Sequence, residues 1–211
     1  MTIKNRILSA LCNNGSASRA ELAKSLGLSS SHISEAANEL IAKGIITEAG
    51  YRPAKSSRGR KNTLLDLDPS YKFALGIGYA KNVLSIGLTT VKGDLLGKEV
   101  TSVEPGITKD ELLAVALAGT MRILRDCCLS LSSLVGIGLC VKRSCASSVY
   151  GDVTPDFIVD DVKSFSGQAV VYESADEYLQ LDERIAAIRP EELYIFGAAK
   201  VIRDLLIYGD V

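Results

Sequence analysis

Five cations fall within ten residues: Arg52, Lys55, Arg58, Arg60 and Lys61, with no acid among them. Ammonium and guanidinium groups this closely spaced neutralise phosphates, so the segment fits a polyanion. Arg58-Gly59-Arg60 is slim as well as cationic, a shape suited to a narrow minor groove. Upstream, Ser30, Ser31, His32 and Ser34 carry short polar groups of the kind that hydrogen-bond base edges or phosphates. His32 reads better as a phosphate or solvent contact than as a base reader. Arg19 adds one more cation to the candidate DNA-binding set. No catalytic constellation accompanies these residues. The chain has a single histidine, which excludes any catalytic or metal site that needs two.

Three short helices and a hairpin must position these groups. Ile3, Ile7, Leu8 and Leu11 give the first helix its apolar side, and Asn14-Gly15 ends it. Ser18-Arg19-Ala20-Glu21 is a capping box that opens the second helix, which Gly27 stops. Ser29 is a good N-cap for the third, whose Ile33, Ala36, Ala37, Leu40 and Ile41 share one face. Helix, glycine turn, helix at this spacing is a helix-turn-helix, and its second helix enters the major groove. Short strands at 45–48 and 63–67 would flank a basic loop holding Tyr51, Arg52, Lys55, Arg58, Gly59, Arg60 and Lys61: a wing. Glu35 is out of character here, since an acid facing phosphate weakens binding; a cytosine amino group would give it a partner.

Charge divides the chain in the same place. Residues 1–61 carry ten Lys/Arg and four Asp/Glu (+6), residues 62–211 fourteen and twenty-one (−7), which together give the formal −1. A basic module joined to an acidic one is expected, with domains at 1–67 and 73–211 and a linker at 68–72. The apolar stretch 112–121 is about half the length that spans a bilayer, and the N-terminus lacks a secretory signal. Five cysteines without paired spacing fit a reducing, cytoplasmic setting and no metal site.

In the acidic module, residues 73–80 alternate large (Phe73, Leu75, Ile77, Tyr79) with tiny (Ala74, Gly76, Gly78, Ala80). With strands around 84–89 and 95–103 they form an antiparallel meander. Thr108-x-x-Glu111 opens a long helix expected to bury Leu113, Ala116, Leu117, Met121 and Leu124. A buried strand at 134–141, a helix around 158–166, a strand at 169–172 and a helix from about 175 to 188 follow. That β-β-β-α-β-α-β order matches one lobe of the actin-like ATPase fold.

The winged helix, the Arg58-Gly59-Arg60-Lys61 wing, the Leu75-Gly76-Ile77-Gly78 strand and Gly136-Ile137-Gly138 together resemble the ROK family (repressors, open reading frames and kinases). The resemblance covers residues 5–211. It implies a winged helix joined to a sugar-kinase-like fold, in which a bound sugar or sugar phosphate releases the DNA. The departures are as informative. Gly78 stands where the family's first strand carries a phosphate-proximal Asp, and Ala80 where it carries a second Gly. Lys142-Arg143 occupies the position of a Pro-Gly turn. Glu173-Ser174-Ala175-Asp176 stands for the Asn-Asp-x-Asn turn, and the Ser174 hydroxyl cannot serve as a general base at neutral pH. Leu193–Gly197 resembles the strand before a second phosphate loop, yet Ala198-Ala199-Lys200 replaces the glycines that loop requires. The second lobe that the resemblance implies is not encoded in these residues.

The expected fold is therefore α/β: an N-terminal winged helix-turn-helix plus one actin-like lobe, the second absent. The expected function is transcription regulation, as repressor, on double-stranded DNA, with no catalytic residue, cofactor or metal. A homodimer is expected, because a single half-site contact is weak; Leu205–Tyr208 either forms its surface or packs back on the lobe. A sugar or sugar-phosphate effector is implied by the resemblance and weakened by the lost motifs. The competing readings are a protein-interaction module, in which DNA binding is secondary, and an active sugar kinase.

Overall fold

The computed structural model describes residues 1–52, 62–141, 155–166, 168–174 and 190–209. Lys55, Arg58, Gly59, Arg60 and Lys61 lie outside the described residues, as do Lys142-Arg143, Cys145 and the helix expected at 175–188. Contacts divide the chain into two units. One takes in Met1–Tyr71 and the chain end from Ile207; the other is Lys72–Leu206.

The first unit begins with α1 (Ile3–Asn14), β1 (Ala17–Ser18), α2 (Arg19–Leu26) and α3 (Ser30–Ala42), then β2 (Ile46–Arg52) and β3 (Asn62–Leu67). Three helix starts are set by side chains. Thr2 Oγ1 accepts from Asn5 N at 3.2 Å, Ser18 and Glu21 close the expected capping box, and Ser29 Oγ accepts from His32 N. Gly27 ends α2 in the left-handed region at φ 64°, which lets the chain reverse at once into α3. Ile7, Leu8, Leu11, Leu22, Ile33, Ala37, Leu40, Ile45, Leu65 and Leu67 are buried and form the core beneath the three helices. The strands form one antiparallel sheet in the order β1-β3-β2. The two-residue β1 has too little pattern to be read from sequence. Strand β2 is longer than expected: a bulge between Glu48 and Tyr51, with Gly50 at φ 108°, carries the ladder on to Arg52, which pairs with Asn62. Tyr51 and Arg52 therefore stand on the wing's stem, not in its loop.

The second unit is built on a five-stranded sheet. Strands β4 (Phe73–Ala80), β5 (Val83–Thr90) and β6 (Leu95–Ser102) form the expected meander, and β7 (Leu134–Val141) and β8 (Val170–Ser174) add in parallel to give the order β6-β5-β4-β7-β8. Lys81 and Asn82, at φ 50° and 59°, make the tight β4–β5 turn. Helices α4 (Lys109–Asp126), α5 (Pro155–Ser166) and α6 (Tyr194–Val201) complete the described unit, and α6 runs on into a π-turn, Ile202–Ile207.

The alternation within the strands now has a structural meaning. Leu75, Ile77, Tyr79, Leu84, Ile86, Leu88, Ile137, Leu139 and Val141 point to one face and pack in a single cluster with Leu112, Ala116, Ile123 and Leu124 of α4 and Val162 of α5. The small residues point to the other face, which receives α6. A Cβ on Gly76 would overlap the Tyr194 carbonyl, and one on Gly138 the Gly197 carbonyl; Gly197 Cα in turn lies under the sheet's glycines.

Two expectations are corrected. Residues 193–197 are not a strand before a phosphate loop: Leu193 leads into α6. A short apolar run such as Leu-Tyr-Ile-Phe has no period that separates a strand from a buried helix, and the glycine bed on the sheet decides for the helix. The buried side of α4 is Leu112, Ala116, Gly119, Thr120, Ile123 and Leu124; Met121, expected inside, is 47% exposed. Gly119 sets this rotation, because α4 rests there close against Ile86, whose Cδ1 would stand 2.6 Å from any Cβ. Of the apolar tail, Leu205 packs on its own lobe with Ala74, Ala198 and Val201, while Tyr208 is 54% exposed.

Candidate nucleic-acid interface

Helix α3 buries Ile33, Ala36, Ala37 and Leu40 and leaves Ser30, Ser31, His32, Glu35, Asn38 and Glu39 exposed. The outward stripe Ser31, Glu35, Asn38 runs at i, i+4, i+7 along the helix. Much of the hydroxyl chemistry at its start is already engaged. Ser29 Oγ caps the helix and lies 2.9 Å from Ser31 Oγ, and the half-buried Ser34 hydroxyl donates to the Ser30 carbonyl at 2.7 Å. Ser34 therefore keeps only acceptor capacity for a ligand. His32 is exposed and borders a shallow pocket with Ile3, Lys4, Glu35 and Glu39.

Arg19 is half-buried and committed within the unit. Its guanidinium donates to Asn38 Oδ1 at 3.2 Å and pairs with Glu48 at 3.4 Å. It links α2, α3 and β2, and any phosphate would have to share it. Lys4 pairs with Glu39 at 3.1 Å, and the Arg6 guanidinium donates to the Leu26 carbonyl, where a cation suits the end of α2. Lys24 on α2 and Lys43 after α3 are exposed and make no ion pair among the described residues. Neither was in the sequence-derived set. Their signal was available, because both lie off the apolar stripes of their helices. The structure brings Arg19 and the α3 residues into one three-helix unit, with Arg52 on the wing stem beside them in the sheet.

The second unit shows what surrounds Gly78. Gly78 is buried; a Cβ there would overlap the Leu193 side chain and lie 2.7 Å from Ser85 Oγ. An aspartate has no room at that position. In the first unit, burial, with Asp66 nearby, pushes the Cys12 thiol upward. Among the described residues, no three His, Cys, Asp or Glu side chains are grouped so as to hold a metal ion. No helix among them is long and apolar enough to cross a membrane.

Comparison with known proteins agrees with this geometry. Residues 2–47 match a family model described as winged helix-turn-helix DNA-binding. Over 138 residues the chain is 29% identical to the xylose repressor of Bacillus spizizenii, covering 64% of this chain and 34% of that protein. Over 133 residues it is 25% identical to the xylose repressor of Caldicellulosiruptor bescii, covering 63% and 33%. The chain thus spans about a third of the length of these curated relatives. A crystal structure described as a ROK family transcriptional regulator, homologue of the E. coli MLC protein, shares the fold. Its TM-score is 0.59 at 19% identity, over 81% of this chain and 44% of that one.

Proposed function

We propose that this chain, which the winged-helix match, the repressor relatives and the shared fold support as a ROK-family regulator, binds duplex DNA and represses sugar-related genes. The observation that carries the reading is the N-terminal unit itself. It is a closed three-helix and three-strand module whose α3 presents an uninterrupted polar stripe at solvent.

In this reading α3 enters the major groove, and the N-termini of α2 and α3 face the phosphate backbone with their positive dipole ends. Arg52, Lys55, Arg58, Arg60 and Lys61 of the wing neutralise phosphates, with Arg58-Gly59-Arg60 reaching into the minor groove. Lys24 joins them as an exposed cation of the helix-turn-helix. Arg19 acts as a positioning residue for Asn38. Two copies bind a palindromic or repeated site, because each copy supplies one helix for one half-site. The lobe serves as sensor or dimerisation scaffold without kinase chemistry; the filled Gly78 position and the Ser174 substitution favour this. A sugar is the effector class that the relatives' names suggest, and a sugar phosphate is the alternative that the ROK resemblance implies.

The test is selection of sheared genomic fragments on the full chain. Recovery of fragments upstream of carbohydrate genes, with affinity lowered by one sugar or sugar phosphate, is the expected result. Recovery of no fragment above background refutes the reading. Measured ATP turnover with a sugar acceptor refutes the proposal for the lobe.

A further inference from the structure

We propose that Glu35 reads a base: its carboxylate accepts the N4 amino hydrogen of a cytosine in the major groove. This rests on the DNA-binding reading above and names a specificity determinant within it.

Glu35 is exposed in the middle of the outward stripe of α3, one turn beyond Ser31 and one before Asn38. The other acids of this unit's helices and of the β2 stem have partners. Glu21 closes the α2 capping box, Glu39 pairs with Lys4, and Glu48 pairs with Arg19. Glu35 has no hydrogen bond or ion pair among the described residues, so no internal contact explains a carboxylate there. Helix α3 itself carries no lysine or arginine; its charged residues are Glu35 and Glu39. A bare carboxylate on a helix seated between two phosphate backbones is repelled unless a donor lies opposite it.

The major groove offers few donors. Guanine shows two acceptors and thymine an acceptor and a methyl group, so both repel or fail to satisfy a carboxylate. Adenine places an acceptor beside its amino group. Cytosine alone presents an amino donor with no neighbouring acceptor on its own edge, and an acceptor-only carboxylate matches it. The adjoining residue has the opposite polarity. Arg19 occupies Asn38 Oδ1 at 3.2 Å, so Asn38 keeps its amino group as a donor. The stripe therefore sets an acceptor beside a donor, a pattern that distinguishes one base sequence from another.

The experiment uses the full chain, a randomised duplex library and three proteins: unchanged, Glu35→Gln and Glu35→Ala. Both variants replace an exposed side chain, and circular dichroism checks that they fold. The unchanged protein is expected to select cytosine at one position per half-site, over any other base by about tenfold or more. Glu35→Gln is expected to move that position toward adenine, whose paired donor and acceptor suit an amide, and Glu35→Ala to erase the preference there while other positions keep theirs. If both variants bind with the base preferences unchanged, or merely bind all duplexes more tightly, Glu35 is a repulsive surface charge and the proposal fails alone. If the unchanged protein selects no duplex at all, the DNA-binding reading fails with it.

Discussion

Ser29, Ser18 and Thr108 each open a helix by accepting a backbone N–H three residues on. Such caps are legible in the sequence because both partners lie within one turn. The engagement of Arg19 was not legible, because its partners Glu48 and Asn38 are 29 and 19 residues away. Sequence could show that Arg19 is a cation but not that folding occupies it. Ser29→Ala should lower stability by about 0.5–2 kcal/mol, read as a shift of the denaturation midpoint at constant slope. At Glu99 the Arg122 guanidinium holds the carboxyl below the usual carboxylate range, through a two-point pair that includes Nε to Oε2 at 3.0 Å. A depressed carboxylate stabilises the fold above its unfolded value, near 4.5, and loses that contribution as pH falls through the folded value. Because the pair is at the surface, Glu99→Gln should cost at most about 1 kcal/mol at neutral pH. The gap between the two proteins should close in denaturation curves taken progressively below pH 4.5; a gap that persists there assigns the effect to packing.

Among elements, the described strands and helices were mostly readable from period and punctuation, and the misreadings share one cause. Residues 193–197 are decided by glycines on a partner element, Gly76 and Gly138, and the buried side of α4 by its own Gly119, where Ile86 of β5 comes close. Periodicity within a segment does not report where a second segment comes close. Gly138→Val should displace α6 and cost about 1–3 kcal/mol or more, since the new side chain meets the Gly197 backbone instead of a movable side chain. The rotation of α4 has its own pair of tests. Ile123→Ala should cost about 2–5 kcal/mol and Met121→Lys less than about 0.5, by equilibrium denaturation. The reverse order would restore the face expected from sequence.

For the whole molecule, a formal charge of −1 conceals +6 over residues 1–61 and −7 over residues 62–211. The division was visible in composition because cations and acids segregate along the chain. The candidate interface was legible as far as its helices: Ser30, Ser31 and His32 stand exposed on α3. The inward turn of the Ser34 hydroxyl and the occupied Arg19 needed the fold, whereas Lys24 and Lys43 were legible as cations off the apolar stripes. The central claim, that the N-terminal unit grips duplex DNA through its wing, is tested most directly by salt-titrated anisotropy. The full chain is compared with its Arg58→Ala/Arg60→Ala variant on a selected genomic duplex. The account predicts that log K falls linearly with log salt, by about 0.9 for each phosphate neutralised, and that the double variant flattens the slope by about 2. Binding that ignores salt, or a slope that the double variant leaves unchanged, would contradict it.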